Sequence, residues 1–152
     1  MTRIFLDANI LFSAVYRENA SLLKLWQMAN IVLITSDYAV QEAVVNLDKT
    51  EQRNRLTKLL RAVTVQDYPV NPPTLPALIN LPEKDIPILQ AAIIGKADIL
   101  LTGDISHFGR YFGKTICGIR IMRPADFLHR PASNSSTSTT QNSRLLFKST
   151  YK

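Results

Sequence analysis

The sequence predicts an α/β domain with a mostly parallel central sheet. Two observations carry that prediction: short apolar runs without clean alternation, and helical patterns that separate them. Alternating residues mark a strand with one wet face, whereas an unbroken apolar run marks a strand covered on both faces, as in parallel sheets. Strands that alternate with helices then favour crossover units over hairpins. The expected architecture is three layers, α/β/α, in a single domain.

The elements follow in order. Arg3-Ile4-Phe5-Leu6-Asp7 reads as a strand ending in an acid, and Asp98-Ile99-Leu100-Leu101-Thr102-Gly103-Asp104 reads the same way. Between them lie two further candidate strands, 31–35 and 62–65, and a last candidate covers 118–122. Helical patterns cover 10–16 and 20–29, the second with Leu22, Leu23, Leu25, Trp26 and Met28. Ser36 is a good N-cap for a helix over 37–47. Residues 49–61 form a strongly basic helix, and 86–95 a helix closing at Gly95. Residues 68–82 hold Pro69, Pro72, Pro73, Pro76 and Pro82 and read as a loop. Residues 133–143 are all Ser, Thr, Asn or Gln, a composition that cannot build a core and is expected to be disordered. The domain is therefore placed at 1–130 and a Ser/Thr-rich tail at 131–152.

Composition narrows the function classes. Of 152 residues, 46% are hydrophobic and 20% charged, enough for a core without disulfides. The single cysteine, Cys117, has no internal partner, which fits a reducing compartment. No run approaches the ~18 apolar residues of a spanning helix, and three apolar residues after Arg3 do not make a signal peptide, so a cytoplasmic protein without membrane contact is expected. Cys117, His107 and His129 lack a zinc-ligand spacing. Gly109-Arg110-Tyr111-Phe112-Gly113 is not a dinucleotide fingerprint, and no P-loop is present. Asp7-Ala8-Asn9 lacks the second Asp of a haloacid-dehalogenase phosphatase, and the acceptor Asp and later Lys of a receiver domain are not evident. Trp26 and Cys117 read as core or near-core residues. His107 follows Asp104 by three residues and could meet substrate, although a structural or surface histidine is the commoner reading.

Net charge is +6. All 12 acids and 15 of the 18 Lys and Arg fall within residues 1–130. If four of those acids sit under metal, 15 bases face 8 acids on the remaining surface, an acidic pit in a basic body that suits a metal enzyme acting on a polyanion. Ordinary scatter of charge would read the same. The four acids are Asp7, Glu42, Asp85 and Asp104. Asp7 and Asp104 follow apolar runs, at strand ends where α/β sheets bind ligands and where an unpaired charge is costly. Glu42 sits among Tyr38, Ala39, Val40, Ala43, Val44 and Val45, an apolar stretch for a carboxylate. Asp85 opens the helix beginning Ile86-Pro87. Singly, each has a plain alternative: Asp85 as an N-cap, Glu42 as an exposed helix residue, Asp7 or Asp104 as turn residues. Together, hard oxygen donors of this kind suit Mg²⁺ or Mn²⁺.

The motifs are also similar to those of a known family. Phe5-Leu6-Asp7-Ala8-Asn9-Ile10-Leu11, Tyr38-Ala39-Val40-Gln41-Glu42, Asp85-Ile86-Pro87-Ile88-Leu89-Gln90-Ala91-Ala92, Ala97-Asp98-Ile99-Leu100-Leu101-Thr102-Gly103-Asp104 and Arg123-Pro124-Ala125-Asp126-Phe127-Leu128 occur in order over about residues 2–128. In this the chain resembles the PIN domain family, and in particular bacterial PIN proteins regarded as toxins of toxin–antitoxin pairs. The resemblance implies that Asp7, Glu42, Asp85 and Asp104 are catalytic and hold one or two Mg²⁺ or Mn²⁺ ions. It makes Asn9, Thr102 and Ser106 supporting residues; many relatives carry a further Asp or Asn at the Ser106 position, so a second ion is the less secure of the two. Asp98, at the far end of its strand, reads as structural.

The implied reaction is hydrolysis of RNA phosphodiester bonds by a metal-dependent endoribonuclease, with metal-bound water as nucleophile. Arg53, Arg55, Lys58, Arg110 and Lys114 are candidates for the RNA backbone, together with Arg120 and Arg123; a solvated face is the plain alternative for the basic helix. The expected partners are RNA, a separate antitoxin protein and a second copy in a homodimer. The competing function is a PIN-like RNA-binding or protein-interaction module with weak or no hydrolysis.

Overall fold

The structure is a computed structural model, and it describes residues 1–129. The expected Ser/Thr-rich tail falls outside the described residues. Within them, six strands form one sheet in the order β3-β2-β1-β4-β6-β5, made of β1 (Thr2–Leu6), β2 (Ile31–Ser36), β3 (Val63–Gln66), β4 (Ile99–Leu101), β5 (Thr115–Ile116) and β6 (Ile119–Met122). All neighbouring pairs are parallel except β5 with β6. The apolar runs have the burial that their lack of alternation predicts: Ile4, Phe5, Leu6, Leu100 and Leu101 are all fully buried.

The helices are α1 (Ala8–Tyr16), α2 (Asp37–Asn46), α3 (Thr50–Leu60), α4 (Ile86–Ile94), α5 (Ile105–Phe108) and α6 (Pro124–Leu128). Ile10, Leu11, Ala14 and Val15 bury the inner face of α1. The side chain of Ser36 accepts a hydrogen bond from the Ala39 N–H and caps α2 as the sequence predicts. Five consecutive residues of α4, Ile88 to Ala92, are buried, so this helix is a core element rather than a surface one. Residues 21–27 wind as a 3-10 helix instead of the expected α-helix.

The turn between β5 and β6 corrects one reading. Cys117 is exposed, not near-core, and both it and Gly118 have positive φ, 53° and 78°. Positive φ at both central positions is the conformation of a type I′ hairpin turn, whose twist matches that of its strands. The turn therefore puts Cys117 at its tip in solvent.

Helix α3 is fastened by its arginines. Arg55 donates two hydrogen bonds to the Val15 carbonyl, at 3.0 and 2.8 Å, and Gln52 donates one to the Tyr16 carbonyl at 3.0 Å. Arg53 donates to the Leu47 carbonyl at 2.6 Å. These carbonyls lie at the C-terminal ends of α1 and α2, where the last turn leaves acceptors unpaired and the helix dipole favours a cation. Arg55→Ala is expected to lower the unfolding free energy by about 1.5–3 kcal/mol, the range for a hydrogen bond to a charged group. Lys58→Ala, on the exposed side of the same helix, should change it by less than ~0.5 kcal/mol. Urea midpoints of the two variants measure the difference. Equal midpoints would show that Arg55 does not hold the helix.

Candidate active site

Chain topology creates the cleft. From β1 the chain crosses to β2 and β3 on one side of the sheet, then returns to β4 on the other. The divergence lies between β1 and β4, the kind of switch point at which open α/β sheets bind ligands beyond the carboxyl ends of their strands. Leu6 is paired with Leu101, so Asp7 and Thr102 leave the sheet side by side, and the Asp7 N–H donates to the Leu101 carbonyl at 3.1 Å.

The polar residues here are interlocked. Asp7 is 3% exposed. One of its oxygens accepts from the Ala8 N–H at 2.7 Å. The other accepts from the Thr102 hydroxyl at 2.7 Å and from the Asn9 amide at 3.1 Å. The Asn9 side-chain carbonyl in turn accepts from the Gly103 N–H at 2.8 Å, and Thr102 Oγ1 accepts from the Asp104 N–H at 3.1 Å. Asn9 and Thr102 thus fix both the Asp7 carboxylate and the loop that carries Asp104. Asp104 Oδ1 also accepts from the His107 N–H at 3.1 Å, as the N-cap of α5.

Glu42 on α2 and Asp85 at the start of α4 complete the group. All four acids line one cleft of about 560 Å³, with Asn9, Asn46 and Lys84 among the polar residues on its wall. Asp85 occupies the N-cap position of α4 but makes no side-chain capping bond, although it is buried. The plain reading of Asp85 as a helix cap therefore lacks its hydrogen bond. A buried carboxylate that caps nothing needs another compensating partner.

Electrostatics ties the four together. Burial pushes the Asp7 carboxyl up to about 6, against the pull of the Thr102 and Ala8 hydrogen bonds, and the charges of Asp85 and Glu42 push it further. Glu42 is raised by burial and by Asp85 and Asp104, while Lys84 opposes the shift. Asp85 is raised first by burial and next by Asp104, with His107 and Lys84 opposing. Tyr38, whose hydroxyl donates to the Lys84 carbonyl at 2.7 Å, is raised by burial and then by Glu42, Asp85 and Asp7. Asp7, Glu42 and Asp85 are each raised in part by neighbouring carboxylate charges, which marks a site short of positive charge. A hard divalent cation supplies such charge and takes oxygen donors, so the residues fit one. Candidate ligands are Asp7, Glu42, Asp85 and Asp104.

Two residues at the site were not singled out as site residues from the sequence. Lys84, immediately before Asp85, is the cation among the residues lining the cleft. His107, for which a surface or structural role is the commoner reading and substrate contact the other, has its Nδ1 2.8 Å from Asp85 Oδ2 and 2.7 Å from Asp104 Oδ2. The sequence signal was its spacing of three from Asp104, one turn of helix. Ser106, the expected supporting residue, is exposed and does not line the cleft.

The basic candidates are not gathered at the acids. Arg53 and Arg55 hold helix-end carbonyls, as described above. Arg55 and Lys58 line a separate surface hollow with Glu18 and Glu51. Arg110 and Lys114 are exposed in the segment that follows α5. Arg123 pairs with Asp126 at 3.2 Å and lies over the Phe112 ring. Asp98, read as structural, accepts from the Arg3 N–H at 2.7 Å at the opposite end of β4.

Comparison with known proteins places this fold in a family. A family model described as the PIN domain matches residues 3–106. The chain belongs to the PIN domain family, whose members are in general nucleases. Among solved structures, the chain is similar to VapBC2 from Rickettsia felis bound to a DNA fragment from their promoter. The TM-score is 0.62 at 18% identity, over 80% of this chain and 98% of the other. At that identity the likeness concerns the fold. No curated protein matches the chain. Among the described residues, no helix is long and apolar enough to cross a membrane.

Proposed function

We propose that this chain is a divalent-metal-dependent endoribonuclease and the toxin of a toxin–antitoxin pair. The observation that carries the reading is the convergence of Asp7, Glu42, Asp85 and Asp104 in one cleft, with three of the four held above the ordinary carboxylate range. An anionic cleft repels a phosphodiester unless cations intervene, and Lys84 alone does not balance four acids. Held by these acids, Mg²⁺ or Mn²⁺ would supply Lewis acidity and activate water for attack on the phosphodiester. The protein's own work is positional. Asn9 and Thr102 lock the Asp7 carboxylate, which avoids reorganisation when substrate arrives. Lys84, at the cleft wall, is placed to meet a phosphate oxygen. The exposed Lys58, Arg110 and Lys114 supply positive charge for the RNA backbone away from the reacting bond.

The toxin role draws support from family membership and from the likeness to VapBC2, a complex whose structure includes promoter DNA. On this reading the chain has a separate antitoxin.

The test is cleavage of single-stranded and structured RNA by the purified full chain. Cutting is expected with Mg²⁺ or Mn²⁺ and to disappear on addition of EDTA. Cleavage undiminished by exhaustive chelation would remove the metal mechanism. RNA retained without any cutting in either ion would favour a binding module instead. An adjoining reading frame whose small product copurifies with the chain and suppresses cutting is the expected companion; a product that binds without suppressing it would remove the toxin role.

A further inference from the structure

His107 makes an unusual contact with the acid cluster. Its Nδ1 lies within 2.8 Å of one oxygen of Asp85 and within 2.7 Å of one oxygen of Asp104. Such distances are those of hydrogen bonds, but the directions are not. Both Nδ1 and Asp85 Oδ2 are buried and lack a hydrogen-bond partner. Asp85 itself is only 5% exposed, so this oxygen is a desolvated acceptor aimed into the cluster. The two contacts are ion-pair approaches without hydrogen-bond alignment, so they partly offset the charge of Asp85 yet leave its buried oxygen with no donor directed at it.

The same geometry is what a coordination polyhedron requires. Donors at neighbouring corners around an ion with bonds of about 2.1 Å lie roughly 2.8–3.0 Å apart. The nitrogen lone pair then points at the ion, and both oxygens fall well off its axis. The two separations from His107 Nδ1 are of this size, and all three donor atoms lie within 4.8 Å of one another, close enough to share one ion. Asp85 and Asp104 come from the starts of α4 and α5, whereas His107 lies one turn into α5, so three backbone positions aim at one point. Asp104 Oδ1 is occupied by the His107 N–H, which leaves Oδ2 for this face.

We propose that His107 Nδ1 is a direct ligand of a divalent ion shared with Asp85 and Asp104, giving this nuclease site a nitrogen donor that selects Mn²⁺ over Mg²⁺. This rests on the metal-dependent reading above and refines it. Imidazole is a borderline donor that later first-row ions accept readily, whereas Mg²⁺ prefers an all-oxygen shell and keeps its waters. Ser106 is exposed, and His107, one residue later, supplies the ligand in its place.

The test uses Mn²⁺ itself as the probe. Pulsed electron paramagnetic resonance of the full chain with one equivalent of Mn²⁺ should show nitrogen coupling to the ion. The coupling should change character when the protein is made with ¹⁵N-labelled histidine, a measurement that needs no substitution. It should persist in His129→Gln and vanish in His107→Ala. By calorimetric titration, His107→Ala should bind Mn²⁺ at least about 10–100-fold more weakly, while Mg²⁺ affinity stays near wild type. Bound Mn²⁺ with no histidine coupling in the wild type overturns the ligand role and leaves metal dependence standing. Equal loss of Mg²⁺ and Mn²⁺ affinity overturns the selectivity. A spectrum of free Mn²⁺ only, with no titration heat for either ion, removes this proposal and the metal-dependent reading together.

Discussion

Glu42→Gln is expected to reduce RNA cleavage by at least about a hundredfold, on the order of 3 kcal/mol of lost transition-state stabilisation, while leaving the metal-free protein as stable as wild type or more so. The two effects have one cause. Glu42 faces Asp85 and Asp104 across the cleft, and their charges raise its pKa in concert with burial. No hydrogen bond of its carboxylate is found among the described residues, so the amide removes a repelled charge and little else. In EDTA the melting temperature should therefore hold or rise. With saturating metal the order should reverse, because wild type gains binding energy that the variant lacks. A structural Glu42 would behave differently: loss of an ion pair or a packed contact lowers the metal-free melting point and spares the cleavage rate. Lys84 is the partner that such an account would invoke. Lys84→Met is the control, since removing that cation should leave Glu42 harder to ionise and the metal-free protein less stable.

The parts of the fold that were legible in the sequence are those with a local physical cause. Uninterrupted apolar runs gave β1 and β4 their covered positions, and an acid directly after such a run stands out because burial makes it costly. Ser36 marked a helix start through its capping oxygen. Other features depend on contacts that no short window contains. The two-residue strand β5 exists only because β6 pairs with it. Cys117 carries a composition signal for burial, but the hairpin turn overrules it. Arg53 and Arg55 look like a solvated basic face until α1 and α2 present unpaired carbonyls to them. His107 follows the same rule: its spacing from Asp104 is local, whereas its approach to Asp85, on another helix start, comes from tertiary packing.

The second large effect is a pH dependence of metal-free stability centred on Asp7. Its carboxyl is buried and sits at about 6 in the folded protein, above its ordinary value in the unfolded chain. For an acid raised by folding, the stability contribution is fully present below the unfolded value and is lost as pH rises through the folded one. Metal-free wild type should thus weaken between about pH 4 and pH 6.5 by on the order of 3 kcal/mol from this residue, about 10 °C in melting temperature for a domain of this size. Asp7→Asn should remove that slope. The asparagine keeps an acceptor for the Ala8 N–H, but its amide group meets the Thr102 hydroxyl and the Asn9 amide, which costs about 1–2 kcal/mol. The relieved charge is the larger quantity at neutral pH, so the variant should melt slightly above wild type at pH 7 and below it at pH 4. Saturating Mn²⁺ should flatten the wild-type curve as well, because a bound cation favours the ionised carboxylate. Melting curves of both proteins in EDTA from pH 4 to pH 7.5 measure the crossing. Parallel curves, with Asp7→Asn lower at every pH, would mean that Asp7 is stabilised as an ion by its hydrogen bonds and is not a strained metal ligand.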